Sequence, residues 1–132
     1  MSFTKDEYKQ RLKKVQAQNK LESFRKLNKN YLYPSFDTIA GSGKNGAIVH
    51  YRANNDNCKI IKKNDIFLCD SGGQYKYGTT DVTRTICFSK PKPFIKNIFT
   101  KVLKGHIAVA LTNLKKDNIG KKIDTRARRF LK

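Results

Sequence analysis

Two aspartates, Asp70 and Asp81, have the residue type and the surroundings of metal ligands. Asp70 follows an apolar run at residues 66–69, and Asp81 lies inside a β-rich segment at 79–88. A carboxylate held away from water is costly unless it is paired, hydrogen-bonded or bound to a metal. If the two segments form antiparallel strands, the carboxylates can converge on one point, where their oxygens suit hard or borderline divalent ions. Two such ions can share bridging carboxylates.

The same pair also has a purely structural explanation, which the residue types alone favour over the metal site. Asp70 would cap the turn at Ser71 and Gly72, and Asp81 would pair with Arg84 or a lysine. Structural ion-pair networks of this kind occur in proteins without any functional role. Residue type and spacing therefore leave both explanations open.

The strands that would carry the carboxylates follow an amphipathic N-terminal helix. Apolar residues recur at helical spacing through residues 4–29, with Thr4 and Glu7 as a capping box and a phase slip near Asn19 that predicts a kink or a break. Pro34 predicts that the helix has ended by that point. The glycine-rich segment 41–46 lacks the spacing of a P-loop. It predicts a tight hairpin-type turn with glycine at positive φ, followed by an apolar strand at 47–51.

Beyond the β-rich segment the apolar pattern becomes helical again. The spacing predicts a helix over residues 94–114 that carries His106, which is expected to be a solvated or packing residue rather than a ligand. Gly120 is expected to interrupt the helical pattern. Asp124 is expected to cap a last, basic helix over residues 125–132.

The chain has 132 residues and a net charge of +19, which first suggests nucleic-acid binding. The basic excess lies in the flanks, because residues 31–89 hold seven basic and five acidic side chains, and no aromatic cluster is interleaved with arginine. Nucleic acid is therefore not an expected partner. No apolar run is long enough for a membrane span or a secretory signal, so we expect no membrane partner and a cytoplasmic location. The odd cysteine count without a CxxC pair predicts buried or half-buried thiols at Cys58, Cys69 and Cys87.

One pair of motifs is far more specific than these patterns. Asp70-Ser71-Gly72-Gly73-Gln74-Tyr75 is followed, eleven residues after Asp70, by Asp81-Val82-Thr83-Arg84-Thr85. The pair resembles the first metal-ligand region of the aminopeptidase P (Xaa-Pro aminopeptidase) family, which belongs to the pita-bread metallopeptidases. Further segments resemble the same family in the same order: Leu21-Glu22-Ser23-Phe24-Arg25, Pro34-Ser35-Phe36-Asp37-Thr38-Ile39-Ala40-Gly41-Ser42-Gly43, Gly46-Ala47-Ile48-Val49-His50-Tyr51 and Val102-Leu103-Lys104-Gly105-His106-Ile107-Ala108-Val109.

The resemblance implies an α+β fold, the first half of a pita-bread fold with a curved antiparallel sheet and flanking helices. It implies an N-terminal helix at residues 1–30 that leads into the N-terminal half of the catalytic domain at 31–132. Asp70 and Asp81 match the two aspartates that ligate the family's dinuclear site, which usually holds two manganese ions. His50 matches the histidine that positions the substrate and stabilises the transition state. The implied reaction is hydrolysis of the peptide bond before a proline at the second position of a peptide.

Three of the five protein ligands that the resemblance implies, a histidine and two glutamates downstream of the second aspartate, have no counterpart in these 132 residues. The only glutamates are Glu7 and Glu22, and the only histidine after Asp81 is His106, outside a Gly-His-Gly context. We therefore expect this truncated chain to lack appreciable activity by itself and to need the complementary C-terminal half as a partner. Whether it acts as an enzyme stays open. The alternative is a non-catalytic remnant or a basic binding module built on half of the fold.

Overall fold

The computed structural model describes residues 14–53, 60–116 and 119–131. The chain divides into two compact units, Met1–Lys90 and Pro91–Lys132. The first unit contains both aspartates and His50. The capping box predicted at Thr4 and Glu7 lies outside the described residues, as does Cys58.

The first unit consists of helix α1, a short 3-10 helix and six strands within the described residues. Helix α1 spans Lys14–Lys26 and runs without interruption through Asn19, so the predicted break is wrong. Asn19 is exposed, and the helix keeps one inward face, on which Ala17 and Leu21 follow each other at a spacing of four. The strands are β1 Tyr31–Pro34, β2 Ile39–Ser42, β3 Ile66–Ser71, β4 Gly73–Tyr75, β5 Gly78–Thr79 and β6 Val82–Cys87.

The strands form two three-stranded antiparallel sheets, in the orders β1–β4–β5 and β2–β3–β6. Gly72 alone separates β3 from β4, and Thr80 and Asp81 separate β5 from β6. The strand predicted over residues 79–88 is therefore interrupted. The pairing register nevertheless continues across the interruption, since Ser71 lies opposite Val82 in one sheet and Gln74 opposite Thr79 in the other. Strands β3 and β4 on one side and β5 and β6 on the other thus form one long two-stranded ribbon that both sheets share. Its backbone pairing is interrupted beside Asp81.

One face of the sheet β2–β3–β6 points towards α1. Directly paired residues share a face of a sheet, and Cys69 is paired with Arg84 on this side. The Arg25 guanidinium of α1 donates a hydrogen bond to the Ser71 hydroxyl at 2.8 Å. Burial raises the pKa of the Cys69 thiol, and Cys69 and Cys87 are both free and half-buried, as predicted. An apolar groove of about 250 Å³ between helix and sheet is lined by Ala17, Leu21, Arg25, Ile61, Phe67, Cys69, Ser71, Val82, Arg84, Ile86 and Phe88.

Asp65 closes the turn that leads into β3. Its Oδ2 accepts hydrogen bonds from the Ser42 hydroxyl at 2.7 Å and from the backbone N–H of Lys62 at 3.0 Å. Partial burial by itself raises the pKa of a carboxyl group, but these hydrogen bonds outweigh it and hold the pKa of Asp65 below its ordinary value of 3.8. The contact ties the end of β2 to the start of β3, and it supports the register that places Asp70 opposite Ile39.

Tyr31 ties the other sheet to α1. Its hydroxyl donates a hydrogen bond to Glu22 Oε1 at 2.6 Å, and its ring meets the ring of Tyr75 edge-on at a centroid distance of 5.4 Å. Partial burial, together with the hydrogen bond to the Glu22 carboxylate and its negative charge, raises the pKa of Tyr31 to about 12. Glu22 is therefore engaged in packing between α1 and β1.

The second unit contains helices α2, Pro93–Ala110, and α3, Gly120–Arg128. Helix α2 confirms the predicted helix, although it ends at Ala110 and not at residue 114, and it carries His106 as an exposed residue, as expected. The prediction that Asp124 caps the last helix is wrong, because α3 begins at Gly120 and Asp124 instead pairs with Arg128 one turn later at 2.8 Å. Gly105 lets α2 and α3 approach closely, since a Cβ added there would lie 2.2 Å from the Ala127 carbonyl oxygen.

Antiparallel sheets with helices that precede and follow them confirm the expected α+β class. In the described part of the chain, no helix combines the length and the apolar character that a membrane span requires.

Candidate metal centre

Asp70 and Asp81 lie on the same face of the β3–β6 ribbon. Asp70 is paired with Thr83, and continuation of the register places Asp81 opposite Gly72. Side chains two residues apart on a strand share a face, so the two aspartates are diagonal neighbours across the ribbon. Gly72 carries no side chain, and none would fit there, because a Cβ would lie 1.9 Å from the Thr80 carbonyl oxygen and 2.3 Å from Ser35 Oγ. The predicted antiparallel arrangement is present, and the aspartates face away from the side that α1 covers.

A depression of about 270 Å³ opens on this face. It brings together Asp70, Asp81 and His50, which are far apart in the sequence. The depression is lined by Phe36, Asp37, Ile39, His50, Arg52, Asp70 and Asp81.

His50 reaches the depression from a turn and not from a strand. The glycine-rich segment ends β2 and continues as a 3-10 helix, Gly43–Ala47, in which Gly43 has a φ of +56°. The expected glycine at positive φ is thus present, but the hairpin turn and the strand at 47–51 are wrong. The chain instead turns tightly, with the Tyr51 N–H bonded to the Ile48 carbonyl at 3.2 Å. His50 itself has a φ of +56°, in the left-handed region that costs a non-glycine residue about 1 to 2 kcal/mol.

The Asp70 carboxylate has one oxygen that the described residues leave unsatisfied. Its Oδ1 is buried and has no hydrogen-bond partner. A buried acceptor left without a partner costs about 1 to 3 kcal/mol, and more when it is charged. A divalent cation in the depression would satisfy this oxygen, so the residues fit such an ion. No contact within the described residues supports the alternative in which Asp70 caps a turn.

Asp81 is exposed and forms no ion pair with another described residue. Arg84, its suggested partner, points its guanidinium to the Thr83 carbonyl at 2.8 Å and lines the groove on the opposite face. Side chains three residues apart on a strand point to opposite faces, which explains why the pairing of Asp81 with Arg84 does not form.

Two residues that the sequence did not single out also line the depression. Arg52 and Asp37 form an exposed ion pair across its rim, with Nη1 and Oδ2 2.8 Å apart. Arg52 follows His50 by two residues, and Asp37 precedes β2 by two. Asp37 lies in one of the segments that resemble the family, but the sequence assigned it no role. No motif indicated Arg52, because only the turn at His50 brings it back to β2.

Within the described residues, no group of three or more His, Cys, Asp or Glu side chains is arranged to hold a metal ion. This agrees with the two aspartates found in the motif. His106 lies in the second unit and is exposed on α2.

Comparison with known proteins places the chain in a family. Residues 2–132 match the model of metallopeptidase family M24. The chain belongs to this family. A probable Xaa-Pro aminopeptidase P of Paracoccidioides brasiliensis is 48% identical to this M24 chain over 120 residues, which cover 91% of the chain and 20% of the relative.

Solved structures agree with the assignment to M24. The X-prolyl aminopeptidase from Caenorhabditis elegans, described as a cytosolic enzyme with a di-nuclear active site, superposes with a TM-score of 0.77 at 34% identity, covering 90% of this chain and 20% of its own. An Xaa-Pro dipeptidase from Bacillus anthracis superposes with a TM-score of 0.71 at 28% identity over 91% of this chain and 32% of its own. The expected pita-bread relationship is confirmed, and this M24 chain spans about a fifth of the length of the curated relatives it matches.

Proposed function

We propose that the chain supplies part of the site of an Xaa-Pro aminopeptidase, with Asp70 and Asp81 as metal ligands and His50 as a substrate-positioning residue. The observation that supports it most is the buried, unpartnered Oδ1 of Asp70, a residue that lines one depression together with Asp81 and His50. The membership in M24 adds the reaction class. We also propose that the ions are manganese, that the substrates are peptides with proline at the second position, and that the protein is cytoplasmic.

In this proposal the aspartates would bind the metal ions, and His50 would position the substrate. A bound pair of divalent ions would supply a Lewis acid and an activated water. Asp70 and Asp81 would hold the ions from one face of the ribbon and would offset part of their charge. His50, held in an exposed turn beside them, can donate a hydrogen bond to the carbonyl oxygen as negative charge develops there. The Asp37–Arg52 ion pair at the rim adds no net charge of its own to the depression.

The two aspartates supply only part of a five-ligand site, and ligand number determines affinity. We therefore expect weak metal binding and no appreciable peptidase activity from the 132-residue chain by itself. The complementary segment that carries a histidine and two glutamates would supply the remaining ligands.

Titration with Mn²⁺, followed by electron paramagnetic resonance of the free ion, tests the metal site directly. Asp70→Asn and Asp81→Asn should each weaken binding by about tenfold, because each removes a charged ligand. Asp37→Asn is the matched control, since it removes a carboxylate from the same depression that is already paired with Arg52. Equal affinity in all three variants and the unchanged chain would rule out Asp70 and Asp81 as the site.

An activity assay with Mn²⁺ and an Xaa-Pro peptide tests the second expectation. The chain should be inactive alone and should gain turnover when it is co-expressed with a C-terminal segment from an M24 relative. His50→Ala should abolish that turnover without changing Mn²⁺ affinity. Turnover by the chain alone that disappears in His50→Ala or Asp81→Asn would contradict the need for a complementary segment. Steeply salt-dependent nucleic-acid binding with sequence preference would instead favour the basic binding module.

A further inference from the structure

The break in the ribbon beside Asp81 is filled by a serine hydroxyl. In a regular antiparallel ladder, Gly73 and Thr80 would exchange two backbone hydrogen bonds. The Thr80 N–H does donate to the Gly73 carbonyl, at 2.9 Å. The Gly73 N–H, however, donates to the Thr80 hydroxyl at 3.0 Å, and the Thr80 carbonyl accepts a hydrogen bond from the Ser35 hydroxyl at 2.8 Å. A side chain thus replaces the ladder donor at this point.

Ser35 is bonded to both strands of the ribbon. Its backbone N–H donates to the Gly72 carbonyl at 3.3 Å, and its hydroxyl holds the Thr80 carbonyl. Gly72 lies two residues after Asp70, and Thr80 immediately precedes Asp81. Ser35 is therefore anchored to the strand that carries one aspartate and holds the peptide unit that leads into the other.

The packing around this contact leaves no space for a side chain at Gly72. A Cβ added to Gly72 would lie 1.9 Å from the Thr80 carbonyl oxygen and 2.3 Å from Ser35 Oγ. Asp81 itself has no hydrogen bond or ion pair to another described residue, so its place depends on the backbone. The Ser35 hydroxyl holds the peptide group between Thr80 and Asp81 through its hydrogen bond to the Thr80 carbonyl oxygen.

We propose that Ser35 is a positioning residue for the carboxylate pair, which rests on the proposed metal-binding function of Asp70 and Asp81. Without the Ser35 hydroxyl, the Thr80 carbonyl loses its protein donor and turns towards water. Asp81 then samples several positions relative to Asp70, and the pair binds a cation more weakly. Ser35 acts through the backbone and does not touch the ion.

The test compares Ser35→Ala and Ser35→Thr with a matched control in the full chain. The control is Ser89→Ala, because the Ser89 hydroxyl donates to Asn64 Oδ1 at 2.9 Å and links the other end of the same ribbon, away from the aspartates. The first measurement is ¹⁵N relaxation of Thr80 and Asp81 without metal. The second is the Mn²⁺ affinity from paramagnetic broadening of the Asp70 and Asp81 amide signals.

In Ser35→Ala, the order parameter of Asp81 should fall from about 0.85 to below about 0.6. The Mn²⁺ affinity should fall by about fivefold, the effect of one lost hydrogen bond. Ser35→Thr should restore both values, and Ser89→Ala should change neither. Circular dichroism checks that every variant is folded.

Unchanged order parameters in Ser35→Ala would overturn the proposal, whatever happens to metal binding. So would wild-type Mn²⁺ affinity in Ser35→Ala while Asp81→Asn loses it. If the backbone responds to Ser35→Ala but the unchanged chain gives no broadening at Asp70 and Asp81, the proposed metal site fails, and Ser35 still positions Asp81.

Discussion

Substitution of Gly72 by alanine should damage the ribbon at the one point where the two aspartates depend on it. The new Cβ would lie 1.9 Å from the Thr80 carbonyl oxygen and 2.8 Å from its carbonyl carbon, distances that real Cβ atoms essentially never show. The carbonyl can move away only if the ribbon is distorted, because paired residues hold the ribbon on both sides of Gly72. Overpacking of this kind costs about 1 to 3 kcal/mol.

The displaced carbonyl would also lose its hydrogen bond from Ser35, which is worth about 1 kcal/mol. The free energy of unfolding should therefore fall by about 3 kcal/mol, a large fraction of the roughly 5 to 15 kcal/mol that stabilises a typical domain. Gly78→Ala is the matched control in the same ribbon. A Cβ at Gly78 would meet nothing within 4 Å, so that variant should stay within about 0.5 kcal/mol of the unchanged chain.

Urea unfolding followed by far-ultraviolet circular dichroism suits this comparison, since the chain has no tryptophan to report by fluorescence. If the free energies of unfolding of the two variants fall with equal slopes as urea rises, the variants expose the same amount of surface on unfolding and differ only in stability. Gly72→Ala should also weaken Mn²⁺ binding, because Asp81 moves with Thr80. A stability loss below about 1 kcal/mol relative to Gly78→Ala would refute the steric argument and the rigid placement of Asp81 that depends on it.

Further outcomes follow from the titrating groups and from the other close contacts. The depressed pKa of Asp65 stabilises the fold above pH 3.8, the ordinary carboxyl value, and this stability is lost as the pH falls further. Asp65→Asn should therefore make the free energy of unfolding depend less steeply on pH in the acid range. The raised pKa of Tyr31 contributes stability that is fully present below pH 10.0 and lost as the pH rises to about 12, and Tyr31→Phe should remove this alkaline loss in the same measurement. Gly105→Ala should destabilise the α2–α3 packing by about 1 to 3 kcal/mol, whereas Gly120→Ala, with open space around the new Cβ, should not; thermal unfolding distinguishes them. Asp70→Asn should raise the free energy of unfolding in metal-free buffer by about 1 kcal/mol, because it removes an unpaired, partly buried charge, and a loss of stability there would show that the carboxylate is structural.

The sequence predicted the aspartate pair well because its position depends on local rules. An apolar run marked β3, and once β3 and β6 pair antiparallel, alternation of side chains decides which face Asp70 occupies. The turn at His50 could not be predicted in this way. The apolar residues before it are typical of a strand, and only backbone hydrogen bonds after the 3-10 helix turn the chain back. Local turn hydrogen bonds here override the strand preference of the residues.

The role of Ser35 was also beyond pattern reasoning, for a different reason. Its partner, Thr80, is forty-five residues away, and the contact exists only because the ladder is broken where Thr80 uses its own hydroxyl for Gly73. A serine after a proline at the end of a strand is an ordinary turn residue by sequence. The contact depends on three strands, β1, β3 and β5, which all end beside the interruption in the ribbon.

Two features of this depression are unfavourable for the stability of the folded chain, and together they favour a function for it. Asp70 buries an unpaired carboxylate oxygen, and His50 adopts a left-handed backbone conformation. The first feature costs about 1 to 3 kcal/mol and the second about 1 to 2 kcal/mol, and no described residue donates a hydrogen bond to Asp70 Oδ1. A structural ion pair at Asp70 would have removed the first cost, and a glycine at position 50 would have removed the second. Both costs fall on residues that line one depression, as expected where a site is built to bind a cation and to present a histidine beside it.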